Sequence, residues 1–128
     1  MRNIMKDTMK KNMKNATVFS THTKYKIGEV VRHRVYPFRG IVFDVDPEFS
    51  GTEAWLRSIP EDIRPERDQP FYHLLAEAEQ TSESYIAYVS EQNLVRDHSG
   101  APVNHPAAME LFPQQRDGVY VLSKDHTH

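Results

Sequence analysis

Two segments constrain what this chain can fold into more than all the rest. Residues 31–49 read VRHRVYPFRGIVFDVDPEF and residues 69–77 read QPFYHLLAE. At the head of the first, Ile27, Val31 and Val35 can share one strand face, with Val30, Arg32 and Arg34 opposite. Further on, Ile41, Phe43 and Val45 alternate with Val42, Asp44 and Asp46 until Pro47 ends the run. Period-two alternation marks half-buried strands. Pro37 presets a turn and Gly40 allows close approach or a positive φ, so residues 36–40 are the expected hairpin connection. The FYHLLA run at 71–76 has no solvent face, which predicts a central strand covered on both sides.

Turn residues place the other elements. Gly28 predicts a bend or bulge where the chain enters the sheet. Residues 85–89 (YIAYV) are the expected antiparallel neighbour of 71–76, with the polar residues 77–84 as the turn, and 91–94 lead off the sheet. Asp117 and Gly118 precede a last strand, VYVL. Roughly five short strands spaced by turn residues predict a mainly β fold, a small barrel rather than a sandwich. Residues 50–69 break the pattern, because Pro60, Pro65 and the charged run 61–68 exclude a strand. Thr52 can cap a short helix carrying Ala54, Trp55, Leu56 and Ile59, which Pro60 stops. The expectation is a helical excursion across the barrel, packed through Trp55 and Leu56. A short C-terminal helix, AAMELF, opens at Pro106 and is halted by Pro113.

At 128 residues the chain predicts one domain, spanning 24–122, with a leader (1–23) and a tail (123–128). No run approaches the roughly 20 apolar residues of a membrane helix. The absence of cysteine removes disulfides, thiolate zinc sites and cysteine nucleophiles, and fits a reducing cytoplasm. The net charge of −2 is unevenly spread: residues 1–24 set six basic side chains against Asp7, and the remainder carries 10 basic and 17 acidic ones, a balance of −7. A body this acidic is a poor binder of phosphate backbones, so nucleic-acid contact must lean on a local patch or on the leader. In that leader Met1, Met5, Met9 and Met13 recur at the spacing of one helical face. A basic amphipathic helix is one reading, but the face lacks Trp, Phe or Leu, and Asn3, Asn12 and Asn15 weaken the helix. A disordered basic leader is the expectation. It has no apolar core of a secretory signal.

Reactive groups are sparse. Asp44, Asp46 and Glu48 alternate and can converge on a divalent cation, but Pro47 intervenes and the calcium-loop glycine and distal glutamate are missing. The seven histidines are scattered: His33, His73 and His105 sit in or beside elements, His126 and His128 at the end, and none forms an HExxH pair. His73, inside an apolar strand, reads as a hydrogen-bonded core histidine rather than a general base. No serine sits in a GxSxG elbow, and no glycine-rich phosphate loop occurs. No enzymatic activity, cofactor or metal is expected.

Arg32, His33, Arg34 and Arg39 are the body's only basic cluster, with Tyr36 and Phe38 beside them. They form either a cationic, aromatic patch of the kind that grips nucleic acid, or partners for carboxylates such as Asp44 and Asp46 one strand away. As a protein-binding surface the candidates are Trp55, Tyr36 and Phe38 as aromatic anchors, rimmed by Arg32, Arg34 and Arg39. Trp55 reads equally well as a core residue.

In this order, VRHR, YPFRGIVFDVDPEF, QPFYHLLAE, YIAYVSEQNL, HPAAMELF and DGVYVL make residues 24–122 resemble the YccV-like, HspQ-type family of bacterial heat-shock proteins, also described as hemimethylated-DNA-binding. The resemblance implies an SH3-like barrel and a cytoplasmic stress protein with no established catalytic residues. It implies two roles: binding hemimethylated origin DNA, and working with the ATP-dependent protease Lon to enhance degradation of denatured proteins and of the replication initiator. The acidic body favours the adaptor role, with Lon and its clients as partners. A small core of five strands and the resemblance together raise homo-oligomerisation, a trimer being one arrangement.

Overall fold

The computed structural model describes residues 23–81 and 83–123. The basic leader up to residue 22, with its methionine stripe, and His126 and His128 lie outside them. Five strands, β1 (Val30–His33), β2 (Phe38–Asp46), β3 (Phe71–Ala78), β4 (Ser84–Ser90) and β5 (Leu94–Arg96), form one antiparallel sheet in the order β4-β3-β2-β1-β5. A separate hairpin pairs β6 (Gln114–Arg116) with β7 (Val119–Val121). Two short helices, α1 (Glu53–Arg57) and α2 (Pro106–Leu111), complete a mainly β fold, as the sequence predicts.

The sheet has to curl. Laid flat, its outer strands would lie about 19 Å apart, at about 4.8 Å per strand. Yet β4 ends at Ser90 and β5 begins at Leu94, across the single 3₁₀ turn Glu91–Asn93, and four residue steps span at most about 14 Å. The two edges are therefore drawn round toward each other, although no ladder joins β4 to β5 and the barrel is not closed.

Four details differ from the sequence expectation. The fifth strand of the sheet is Leu94–Arg96, which returns to pair with β1, whereas the VYVL strand belongs to the outer hairpin. Phe71–Ala78 is interior, but the middle place falls to β2. The first hairpin turns at residues 34–37, so Gly40 lies inside β2 and serves close approach: a Cβ there would sit 2.5 Å from the Leu75 carbonyl oxygen. Finally, the register slips between Val42 and Asp44. This bulge at Phe43 reverses side-chain parity, so that Val45 packs with Val42 instead of with Ile41 and Phe43.

Both faces of the sheet are covered. Inside the curl, Val31, Val42, Tyr72, Leu74, Ala87 and Val89 form one core. On the outer face Ile41 and Leu75 pack against Val103, Ala108, Phe112 and Tyr120 from the C-terminal segment. That is why FYHLLA needs no polar side. The two ends of the domain meet here, because Tyr120 N donates to the Gly28 carbonyl (2.9 Å) and Gly28 N donates to the Val42 carbonyl (2.8 Å). Gly28 has φ of 96°, and a Cβ on it would overlap the Tyr120 carbonyl. Tyr120 Oη also accepts from Val103 N. Pro106 opens α2, with His105 Nδ1 accepting from Ala107 N as its cap.

Residues 47–70 cross one end of the curl as expected. Thr52 Oγ1 accepts from Trp55 N to start α1, and Leu56 is buried. Arg64 donates to the Ile59 and Arg57 carbonyls, and Asn93 Nδ2 donates to the Ile63 carbonyl, tying the excursion to the sheet. No helix among the described residues is long and apolar enough to cross a membrane.

Candidate functional site

The excursion, β4 and the turn after β1 enclose an apolar groove of about 180 Å³. Tyr36, Phe38 and Trp55 all line it, although they come from three separate elements. Two aromatic chains form its walls. On one side His33 stacks on Tyr36 (4.8 Å) and contacts Phe38 (5.3 Å), which meets Tyr85 edge-on (5.8 Å). On the other, Trp55 meets Tyr88 edge-on (5.5 Å) and stacks on Phe49 (5.8 Å), while Tyr88 stacks on Phe71 (5.2 Å). Tyr36 and Trp55 remain 42% and 37% exposed, so these rings present surface rather than fill core.

Two polar groups sit in this apolar wall. The buried His33 ring accepts from Val35 N and Tyr36 N at Nδ1, both at 3.0 Å, which fixes the turn and leaves the proton of the neutral ring on Nε2. Burial, helped by the neighbouring Arg34, pushes its pKa below the ordinary imidazole value. Ser90, 2% exposed, has an Oγ with no hydrogen-bond partner. A buried hydroxyl without a partner costs about 1–3 kcal/mol.

The arginines divide. Arg32, on β1, pairs with Glu79 (2.6 Å) with both side chains partly exposed. Arg34 donates through Nε to Asn93 Oδ1 (2.9 Å) and to the Gln92 carbonyl (3.1 Å). Arg39 stands apart from the other five candidates. It shares the outer face with its cross-strand partner Arg32, but unlike that exposed residue it is buried, and it donates to the Ala101 and Pro102 carbonyls. There it lies 3.5 Å from Glu77 and 3.3 Å from Asp97. All three arginines are thus engaged within the fold, with partners other than Asp44 and Asp46.

The bulged end of β2 brings Asp44, Asp46 and His73 within 4.8 Å of one another, without Glu48. Asp46 Oδ2 is already occupied: it accepts from Ser50 Oγ (2.7 Å) and Tyr88 Oη (2.8 Å) and contacts His73 Nε2 (3.2 Å). Burial raises the Asp46 pKa, but these hydrogen bonds outweigh it and hold the carboxyl below its ordinary value. Asp46 and His73 thereby hold Tyr88, through its hydroxyl and its ring (4.7 Å) respectively. Tyr85, Tyr88 and Ser90 are groove residues that sequence reasoning did not single out. The edge position of β4, invisible in the YIAYV string, leaves Tyr85 and Tyr88 partly exposed.

Residues 23–119 match the family model described as "Hemimethylated DNA-binding protein YccV like". No solved structure matches the chain. With nearly the whole described fold inside that match, the chain belongs to the YccV-like, hemimethylated-DNA-binding family.

Proposed function

We propose that this protein is a non-catalytic cytoplasmic adaptor that holds polypeptide in its aromatic groove and promotes degradation of denatured or regulatory proteins by a Lon-type ATP-dependent protease. The observation that carries the reading is the convergence of Tyr36, Phe38 and Trp55 on one groove. Aromatic side chains clustered in a desolvated pocket are the usual energetic centre of a protein interface. Of the arginines that a phosphate backbone would need, Arg39 is buried in ion pairs, while Arg32 and Arg34 are exposed and engaged by Glu79 and Asn93. Heat-shock roles implied by the family resemblance supply the protease as partner, and self-association into a small oligomer would place several grooves on one particle. The test is degradation of an unfolded substrate by purified Lon-type protease, with and without the protein. Stimulation should be dose-dependent, and Trp55→Ala or Tyr36→Ala should weaken substrate engagement by about 30-fold, the equivalent of about 2 kcal/mol for an interface hot spot. Stimulation undiminished in both folded variants would remove the groove from the mechanism.

The family's description favours a second reading, recognition of hemimethylated DNA. Its signature is an affinity that falls steeply with salt and differs between hemimethylated and fully methylated duplexes of one sequence. Equal binding to both duplexes would sink it.

A further inference from the structure

The outer edge of β4 is unpaired; it is exposed at Ser84–Ile86 and covered at Val89 and Ser90. Ala78 N donates to the Glu83 carbonyl and Glu91 N to the Pro70 carbonyl, each at 2.9 Å, and these bonds bracket the β3–β4 ladder at one unbroken register. Exchanging and non-exchanging pairs alternate along an antiparallel ladder. Tyr85, Ala87 and Val89 therefore turn their backbone groups inward to β3, and Ser84, Ile86, Tyr88 and Ser90 turn theirs outward. No strand lies beyond β4, and no described residue bonds those outward groups. Natural edges are ordinarily blunted by lysine, proline or inward charges. The β4 sequence SYIAYVS has none of these, and Ile86 is 57% exposed.

The same edge forms one side of the groove. Lining residues on β4 come from both side-chain parities, Ala87 and Val89 as well as Tyr88 and Ser90, as happens where a groove runs along an unpaired edge. Ser90, buried and with its Oγ unpartnered, is also among the lining residues. Pro65 borders both this groove and a neighbouring trough lined by Glu48, Glu61, Glu66 and Asp68 together with two arginines already engaged elsewhere, Arg64 with main-chain carbonyls and Arg67 with Glu53. None of these four carboxylates has an ion-pair partner among the described residues.

We infer that β4 accepts an extended polypeptide as an added strand, its apolar side chains entering the aromatic groove and adjacent lysine or arginine side chains entering the acidic trough. The inference rests on the adaptor reading and names its ligand class: an unfolded segment in which an alternating apolar stretch adjoins basic residues. Main-chain hydrogen bonds provide affinity without reading sequence, while the pockets select alternate side chains. An edge of this kind suits clients that share only being unfolded, and the trough adds a charge preference.

The experiment is fluorescence anisotropy on the intact chain with a labelled peptide of alternating valine and threonine ending in lysines. Two further forms carry backbone N-methyl groups on alternate residues, one form for each parity. Strand addition predicts that methylation of one parity weakens binding by about tenfold or more and that of the other by less than about twofold. Replacing the lysines by glutamates should also cost about tenfold. Equal effects of the two parities, including no effect, would overturn strand addition. The adaptor reading would then stand or fall separately, on whether Trp55→Ala abolishes stimulation of the protease. If Ile86→Pro, which removes one outward N–H, dissociates the chain's own oligomer in sedimentation without weakening peptide binding, the edge belongs to a second copy and the inference is overturned.

Discussion

Replacing Arg39 by methionine separates a framework role from a surface one. The guanidinium lies between Glu77 and Asp97, whose side chains are only 14% and 5% exposed, and its own side chain is 11% exposed. Removing it strands two buried carboxylates and frees the Ala101 and Pro102 carbonyls. Breaking a buried ion pair from one side costs about 3–5 kcal/mol. The lower end applies here, because Glu77 keeps a bond from Asn104 N (3.0 Å) and Asp97 one from Ser99 Oγ (2.8 Å). A loss of about 3 kcal/mol is a large part of the roughly 5–15 kcal/mol that stabilises a domain. At about 1–3 kcal/mol per molar urea it lowers the unfolding midpoint by about 1–3 M. Urea unfolding followed by Trp55 fluorescence measures this directly. Adding Glu77→Gln and Asp97→Asn to Arg39→Met should recover about half the loss, since the stranded charges cause most of it. Arg32→Met, which breaks an exposed pair, should cost less than about 1 kcal/mol. If Arg39→Met proved as mild as Arg32→Met, Arg39 would behave as a solvated side chain and the framework reasoning would fail.

Further outcomes follow from the same packing. Gly40→Ala places a Cβ against the Leu75 and Ala76 backbone, so β2 and β3 must separate, at about 1–3 kcal/mol; an unchanged thermal midpoint would contradict the close approach. His33 has a folded pKa below its ordinary 6.5, so the unfolded chain takes up the proton first. Its contribution favours folding above that value and is lost as pH falls through about 6.5 toward the lower folded pKa. In paired urea titrations at pH 7.5 and 5.5, His33→Gln should lose less stability on acidification than the parent; an equal loss would show that this imidazole is not the responsible group.

Local signals in the chain were informative and long-range ones were not. Alternation at Ile41–Val42, the unbroken apolar run at Phe71, the Thr52 cap and Pro106 all act within a few residues, and each element forms where they place it. The pairing of Leu94–Arg96 with β1 leaves no such mark, because three residues carry too little pattern and their partner lies some sixty positions upstream. The bulge at Phe43 is equally silent: it follows from accommodating both core faces along one strand and is not written in Phe43 itself. At the groove, Tyr36, Phe38 and Trp55 were recognisable as unusual aromatics, but their convergence depends on the excursion folding back over β4. Arg39 was inseparable in sequence from Arg32 and Arg34. Arg32, its direct cross-strand partner, faces the same side; what sets Arg39 apart is burial against residues 97–102, which leaves no mark in the local sequence.

Joining Gly28 to Tyr120 also sets a schedule for the nascent chain. The ribosome releases β1 to β3 first, and Ile41 and Leu75 then wait for partners at Phe112 and Tyr120. Roughly 40 residues separate the end of β3 from Tyr120, about 2–8 s of translation at roughly 5–20 residues per second. Through that interval the outer face of the sheet is an uncovered apolar surface. Any premature stop in the last few codons before Tyr120 would leave Ile41 and Leu75 short of that partner and the Gly28 carbonyl without its donor.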